Sequence, residues 1–167
     1  MYELKRLSPG AVPGALALAE RYRLLNEPSE AESICLDVLQ VDPTNQDAIV
    51  ALLLSLTDQF ADGTAAKKMA EADHAARRII DEFKRLYYSG LIRERRAKAQ
   101  LRSERPAMDN SVREWLREAM SFYERAEAVR PAGHDEPLLR WNACARALMT
   151  LPDVEPASHE FTGVQSE

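Results

Sequence analysis

The chain has 167 residues, of which 46% are hydrophobic and 29% are charged, and its net charge is −5. This length suffices for one domain with a core or for a short solenoid, and the composition excludes a disordered or fibrous protein. The negative net charge argues against general nucleic-acid binding, for which a basic surface is expected.

The first two predicted helices form a hairpin. The first helix runs from about Pro13 to Leu25. The second opens at the capping-box spacing Ser29-x-x-Glu32. It carries apolar residues at steps of three and four, which is typical of a helix with one buried face. It stops at Pro43, because proline lacks an amide hydrogen and clashes with the preceding turn.

The next two predicted helices follow the same plan. The third opens at Thr44-x-x-Asp47, another capping-box spacing. The fourth follows a turn at 62–64 and carries apolar residues at helical spacing through Ile79 to Phe83. No proline or glycine clearly separates it from the fifth helix.

The fifth predicted helix runs into a basic region. Between Lys84 and Arg105 there are eight Lys or Arg and two Glu, a net charge of +6, so the rest of the chain carries −11. Spacings of three and four residues place four cations on one helix face. We call these four residues the basic stripe: Arg95, Lys98, Arg102 and Arg105.

The last two predicted helices complete an all-α fold. The sixth opens at Ser111-x-x-Glu114 and ends before Pro131, and the seventh starts near Pro137. Residues 152–167 lack periodicity and mix Pro, Ser, Gly and acidic residues, so we expect a disordered tail. Seven helices without a credible strand predict antiparallel helix pairs.

The second helices of the pairs share a motif. Each copy consists of an alanine and the two residues that lie four and seven positions after it. In the first and third copies a proline follows the alanine by twelve residues, at Pro43 and Pro131. The small alanine suits a close approach of two helices. The three copies are Ala31-x3-Cys35-x2-Val38, Ala72-x3-Ala76-x2-Ile79 and Ala119-x3-Tyr123-x2-Ala126.

These motifs resemble the tetratricopeptide repeat (TPR), a helix-turn-helix unit of about 34 residues with the pattern W-x2-L-G-x2-Y, then A-x3-F, then P. The best match places Ala15-x2-Leu18-Ala19-x2-Tyr22 in the first helix of a unit. The resemblance implies a right-handed superhelical array, a TPR-like α-solenoid, that forms a single domain over residues 1–151. Its parts are repeats at about 12–45, 46–83 and 84–131, the last with an insertion, and a capping helix at about 136–150.

The resemblance also implies a concave groove that holds a partner peptide and is lined by the first helix of each pair. For Leu16 and Leu54, packing into the core is an equally good interpretation. One TPR subtype clamps a C-terminal carboxylate with Lys and Asn, whereas the matching positions here are apolar or acidic, so we do not expect that clamp. The predicted groove residues are Leu16, Glu20, Arg23, Leu24, Val50, Leu54 and Asp58.

The basic stripe has two interpretations. It could bind an acidic partner or, less favourably, a nucleic-acid backbone. Alternatively it is a solvated helix face, with Glu94 paired to Lys98 or with the cations meeting the protein's own acidic surface.

Catalytic and metal-binding patterns are not found in the sequence. There is no His-x3-His, Cys-x2-Cys or His-Glu-x2-His spacing and no glycine-rich phosphate loop. Cys35 and Cys144 sit among apolar neighbours, which is typical of reduced core thiols in a cytoplasmic protein. The first ten residues hold no signal region, and no apolar run approaches the roughly 18 residues of a membrane span.

The sequence therefore predicts a non-catalytic, cytoplasmic adaptor or scaffold without metal or cofactor. Its partner would be another protein or peptide, bound in the groove or on the basic stripe. Two alternatives stay open at this stage. One is a nucleic-acid-associated protein that uses the basic stripe, and the other is a self-associating assembly subunit.

Overall fold

The computed structural model describes residues 2–61, 63–103 and 110–152, and over this part of the chain all regular secondary structure is helical. The predicted all-α class and the number of helices are confirmed for these residues. A short 3-10 turn, Pro9–Ala11, precedes seven helices: α1 (Val12–Leu24), α2 (Pro28–Val41), α3 (Gln46–Asp58), α4 (Ala65–Arg77), α5 (Glu82–Arg102), α6 (Ser111–Ala128) and α7 (Glu136–Thr150).

Helix packing follows the order of the chain. Each helix contacts the next one, and α3 also contacts α1 and α5. In the α5–α6 pair, Arg96 lies over the ring of Trp115 while Gly90 faces Tyr123, so the two helices run antiparallel. The orientation of this one pair agrees with the prediction of antiparallel pairs. The right-handed superhelical form of the array stays a prediction.

The repeated motif of the second helices marks buried positions. All nine residues of its three copies are at most 2% exposed, and the three alanines Ala31, Ala72 and Ala119 have no exposed surface. Gly90 makes room for the large member of the third copy. A β-carbon added at Gly90 would lie 2.7 Å from Cε1 of Tyr123. The motif therefore identifies close helix contacts, as expected from its small residues.

The buried apolar residues form two clusters. The N-terminal core comprises residues of α1 to α4 and adjoining turns, together with Ile92 of α5. The C-terminal core comprises residues of α6 and α7 together with Ala97 of α5. Because α5 supplies a buried side chain to each cluster, this long helix joins the two halves of the fold.

Three predicted N-cap residues are wrong. Helix α2 begins at Pro28, since proline is well suited to the first turn of a helix. In α3 the cap is Asn45, whose side chain accepts a hydrogen bond from the amide of Ala48 at 2.9 Å. Helix α6 has Asn110 at its N-cap position. The capping boxes starting at Ser29, Thr44 and Ser111 therefore do not supply the N-cap residues.

The border between the fourth and fifth helices also differs from the prediction. Helix α4 ends at Arg77, so Ile79 lies in the connection. Phe83 belongs to the first turn of α5. The carboxylate of Asp81 caps this new helix by accepting a hydrogen bond from the amide of Lys84 at 2.7 Å. A capping aspartate thus separates two helices where the sequence has neither proline nor glycine.

Two predictions fall outside the described residues. They are the place of Arg105 in the basic stripe and the disorder of the tail from residue 153 onward. In the described ranges, none of the helices is both long enough and apolar enough to pass through a membrane.

Candidate binding groove

A cavity of about 480 Å³ opens among α1, α3 and α5. It brings together residues of two separately predicted surfaces, the groove and the basic stripe. Arg140 of α7 also lines the cavity, although no sequence pattern singled it out. Its lining includes the groove residues Glu20, Arg23, Leu24 and Asp58 and the basic-stripe residues Arg95, Lys98 and Arg102.

Three predicted groove residues lie elsewhere. Leu16, Val50 and Leu54 are partly buried and pack against the N-terminal core, and they are not among the residues that line the cavity. For Leu16 and Leu54, packing into the core is the alternative that the sequence predicted equally well. Helix α3 contacts four other helices, so much of its surface is covered. Crowding around α3 therefore leaves mainly its C-terminal end to the cavity.

Asp58, at the end of α3, lies between two arginines. Nε of Arg23 donates a hydrogen bond to one carboxylate oxygen at 2.7 Å. Nη1 of Arg95 donates to the other oxygen at 2.5 Å and to the hydroxyl of Thr57 at 2.8 Å. These contacts connect α1, α3 and α5 at the cavity wall. Because one carboxylate serves two cations, this Asp58 cluster keeps a net charge of +1.

Glu94 forms a second cluster of the same kind, and its side chain is fully buried. The hydroxyl of Tyr123 donates to its Oε2 at 2.6 Å. Oε1 accepts hydrogen bonds from Nζ of Lys98 and, at 3.4 Å, from Nη1 of Arg140. A buried carboxylate needs such partners, because its desolvation is costly. The Glu94 cluster also has more cations than carboxylates.

The tyrosine of this cluster is held in its protonated form. Burial, followed by the negative charge of Glu94 and the hydrogen bond to it, raises the pKa of Tyr123 far above its ordinary value. The hydroxyl therefore remains a hydrogen-bond donor at neutral and mildly alkaline pH.

The two expected forms of internal neutralisation both occur in the basic stripe. Lys98 pairs with Glu94, and Arg95 meets the acidic surface of α3 at Asp58. Arg102 is exposed and makes no ion pair with any residue that the structure describes. Counting all charged side chains of the lining, five cations face three carboxylates, a net charge of +2. This contrasts with −5 for the whole chain.

The two thiols do not have the properties of nucleophiles. Cys35 and Cys144 are free and buried. Mainly through burial, the pKa of Cys35 is raised to about 11 and that of Cys144 to about 12. Both thiols are therefore protonated at neutral pH, and a protonated thiol is a poor nucleophile. Across residues 2–61, 63–103 and 110–152, no three His, Cys, Asp or Glu side chains are grouped to hold a metal ion.

Comparison of the chain with protein-family models, with curated proteins and with solved structures gave no match. The resemblance to tetratricopeptide repeats stays a prediction that rests on the sequence motifs quoted above.

Proposed function

We propose that the protein is a non-catalytic interaction module, an adaptor or scaffold, that holds a segment of a partner polypeptide in the cavity between α1, α3 and α5. The observation that carries this proposal is the convergence of the predicted groove and the predicted basic stripe on one cavity. A cavity lined by side chains of several helices offers both apolar and charged contacts to a peptide.

Further features support this function. Leu24 lies at the cavity with 83% of its surface exposed, so it can contribute apolar contact area to a ligand. The buried motif positions are consistent with a TPR-like superhelical array, in which the framework serves to display a binding surface. The free thiols of Cys35 and Cys144 suit a reducing compartment such as the cytoplasm.

The nucleic-acid alternative has weaker support than the polypeptide. Arg95 and Lys98 are engaged by carboxylates of the protein itself. The chain as a whole carries a net charge of −5, so a nucleic-acid backbone that continues beyond the cavity would be repelled, whereas a short segment would meet only the net charge of +2 of the cavity.

A site-specific cross-linking experiment tests where the partner binds. A photoreactive benzophenone amino acid replaces Leu24 in the full chain, and the protein is irradiated in an extract of its source cells. The matched control carries the same group in place of Leu36, which is 52% exposed on α2 and does not line this cavity. We expect a defined cross-linked polypeptide from position 24 and none from position 36. Equal cross-linking from both positions, or cross-linking from position 36 alone, would refute the proposed groove.

A further inference from the structure

We infer that the cavity selects an acidic segment, whose carboxylates dock on Lys98, Arg102 and Arg140. This inference rests on the proposed polypeptide-binding function and names the chemistry of the partner. It is drawn from the charge of the cavity, the unused hydrogen-bond donors of its cations and their spacing along α5.

The charge of the cavity favours an anionic ligand. In both the Asp58 cluster and the Glu94 cluster, one carboxylate is shared by two cations. Each cluster therefore attracts one further negative charge. Arg102 adds one positive charge and has no ion-pair partner among the described residues. Glu20, the third carboxylate of the lining, offsets one positive charge of the cavity. An acidic segment would thus complete the neutralisation that the protein's own residues leave unfinished.

The cations around Glu94 have donors to spare. A lysine ammonium has three N–H donors and an arginine guanidinium has five. Lys98 and Arg140 each contact Oε1 of Glu94, yet their side chains remain 33% and 41% exposed. Glu94 acts as a positioning residue, because its shared oxygen holds two cations from different helices close together. Their remaining donors are available to a carboxylate that enters the cavity.

The spacing of the cations suits an extended peptide. Lys98 and Arg102 are four residues apart on α5, about 6 Å along the helix axis at 1.5 Å per residue. Alternate side chains of an extended segment are about 6.6 Å apart and lie on the same side. A segment with glutamate or aspartate at every second position therefore matches this row of cations.

A fluorescence-anisotropy titration of the full chain tests the acidic partner. The probe is a short labelled peptide with glutamate and serine in alternation, and the comparison peptide has glutamine in place of each glutamate. We expect the glutamate peptide to bind about tenfold more tightly or better, a preference worth about 1.4 kcal/mol. We also expect its affinity to fall as salt is added. Equal affinity for the two peptides would overturn the inference.

Two arginine variants locate the binding. Arg102→Gln should weaken binding of the glutamate peptide about threefold or more, the upper part of the range for an exposed ion pair. The matched control, Arg117→Gln, removes an exposed arginine of α6 that does not line the cavity, and it should leave the affinity unchanged. An equal loss in both variants would show general attraction to the protein surface and would overturn the assigned site.

Other occupants are distinguished by two further arms. Residues 153–167 include four acidic residues and no Lys or Arg. A full-length variant changes Asp153, Glu155, Glu160 and Glu167 to their amides. If this variant binds the probe and the unchanged protein does not, the chain's own residues 153–167 compete for the cavity. That result would overturn the inference of a separate partner. Displacement of the probe by single-stranded DNA at lower concentration than by unlabelled peptide would likewise overturn it.

Failure of this inference differs from failure of the proposed function. If position 24 cross-links a polypeptide but the glutamate peptide shows no preference over its glutamine counterpart, the partner is not acidic and the groove remains. If position 24 fails to cross-link while position 36 succeeds, the groove itself is refuted.

Discussion

Glu94 is the residue on which the local charge balance depends. Its carboxylate has no exposed surface and receives hydrogen bonds from Tyr123, Lys98 and Arg140. Glu94→Ala leaves the buried hydroxyl of Tyr123 without its acceptor, removes the ion pairs with the partly exposed Lys98 and Arg140, and opens a cavity. We therefore predict that this substitution lowers the free energy of unfolding by about 3–5 kcal/mol. Denaturant unfolding followed by tryptophan fluorescence measures this loss, because Trp115 and Trp141 both pack in the C-terminal core.

A conservative change at the same cluster supplies the control. Tyr123→Phe removes the hydroxyl and keeps the ring that faces Gly90. It should cost about 1.5–3 kcal/mol, the range for one lost hydrogen bond to a charged partner. If Glu94→Ala cost no more than Tyr123→Phe, the ion pairs with Lys98 and Arg140 would contribute nothing to stability. Should the alanine variant fail to fold, Glu94→Gln gives the same comparison with the side-chain volume retained.

At the scale of the element, the contact of α5 with α6 depends on a single missing side chain. A β-carbon at Gly90 would lie 2.7 Å from Cε1 and 2.9 Å from Cδ1 of Tyr123. Tyr123 is itself fully buried, so its ring has little room to move. We predict that Gly90→Ala costs about 1–3 kcal/mol through overpacking. This exceeds the gain of up to about 1 kcal/mol from the better helix propensity of alanine. Tryptophan-detected unfolding measures the difference.

Gly14 provides the matched control for this substitution. It lies in α1, and a β-carbon there would have no atom within 4 Å. Gly14→Ala should therefore be neutral or stabilise the protein by up to about 1 kcal/mol. Stabilisation by Gly90→Ala to the same extent would mean that Tyr123 does not restrict this position.

Some helices are easier to predict from the sequence than others. Helical spacing and the stop at Pro43 predicted α2 well, because an amphipathic helix ending at proline is governed by local interactions. The predicted boundary between α4 and α5 was wrong, because the observed boundary depends on the cap at Asp81 and not on a helix-breaking residue. The small alanines of the repeated motif correctly predicted buried contacts because their low volume reflects the closeness of the neighbouring helix.

The residues that line the cavity were harder to predict from the sequence than the helices. The basic stripe was recognised on α5 and the acidic end of α3 was assigned to the groove, but their meeting at Asp58 depends on how two helices distant in sequence pack. Arg140 was missed for the same reason, because its role comes from contact with Glu94 on another helix. Val50 was assigned to the groove because periodicity shows which residues share a face, and not which neighbours cover it.

At the scale of the whole molecule, the core is divided in two, and we expect this division to determine how the protein unfolds. The N-terminal and C-terminal cores are separate clusters, and α5 supplies Ile92 to one and Ala97 to the other. In folds whose contacts run mainly between neighbouring elements, stability is a sum of local terms and the coupling between units is limited. Helix α5 is therefore the main route by which loss of structure in one half reaches the other.

Two core substitutions test this coupling. Leu53 of α3 and Leu116 of α6 are leucines without exposed surface, one in each core, and changing either to alanine should cost about 2–5 kcal/mol locally. Both tryptophans report on the C-terminal core, whereas far-ultraviolet circular dichroism reports on all helices. In Leu116→Ala we expect the fluorescence transition at lower denaturant than the main loss of helicity. In Leu53→Ala helicity should begin to fall first, with the fluorescence midpoint almost unchanged. Coincident transitions in both variants would show instead that α5 couples the two cores into one cooperative unit.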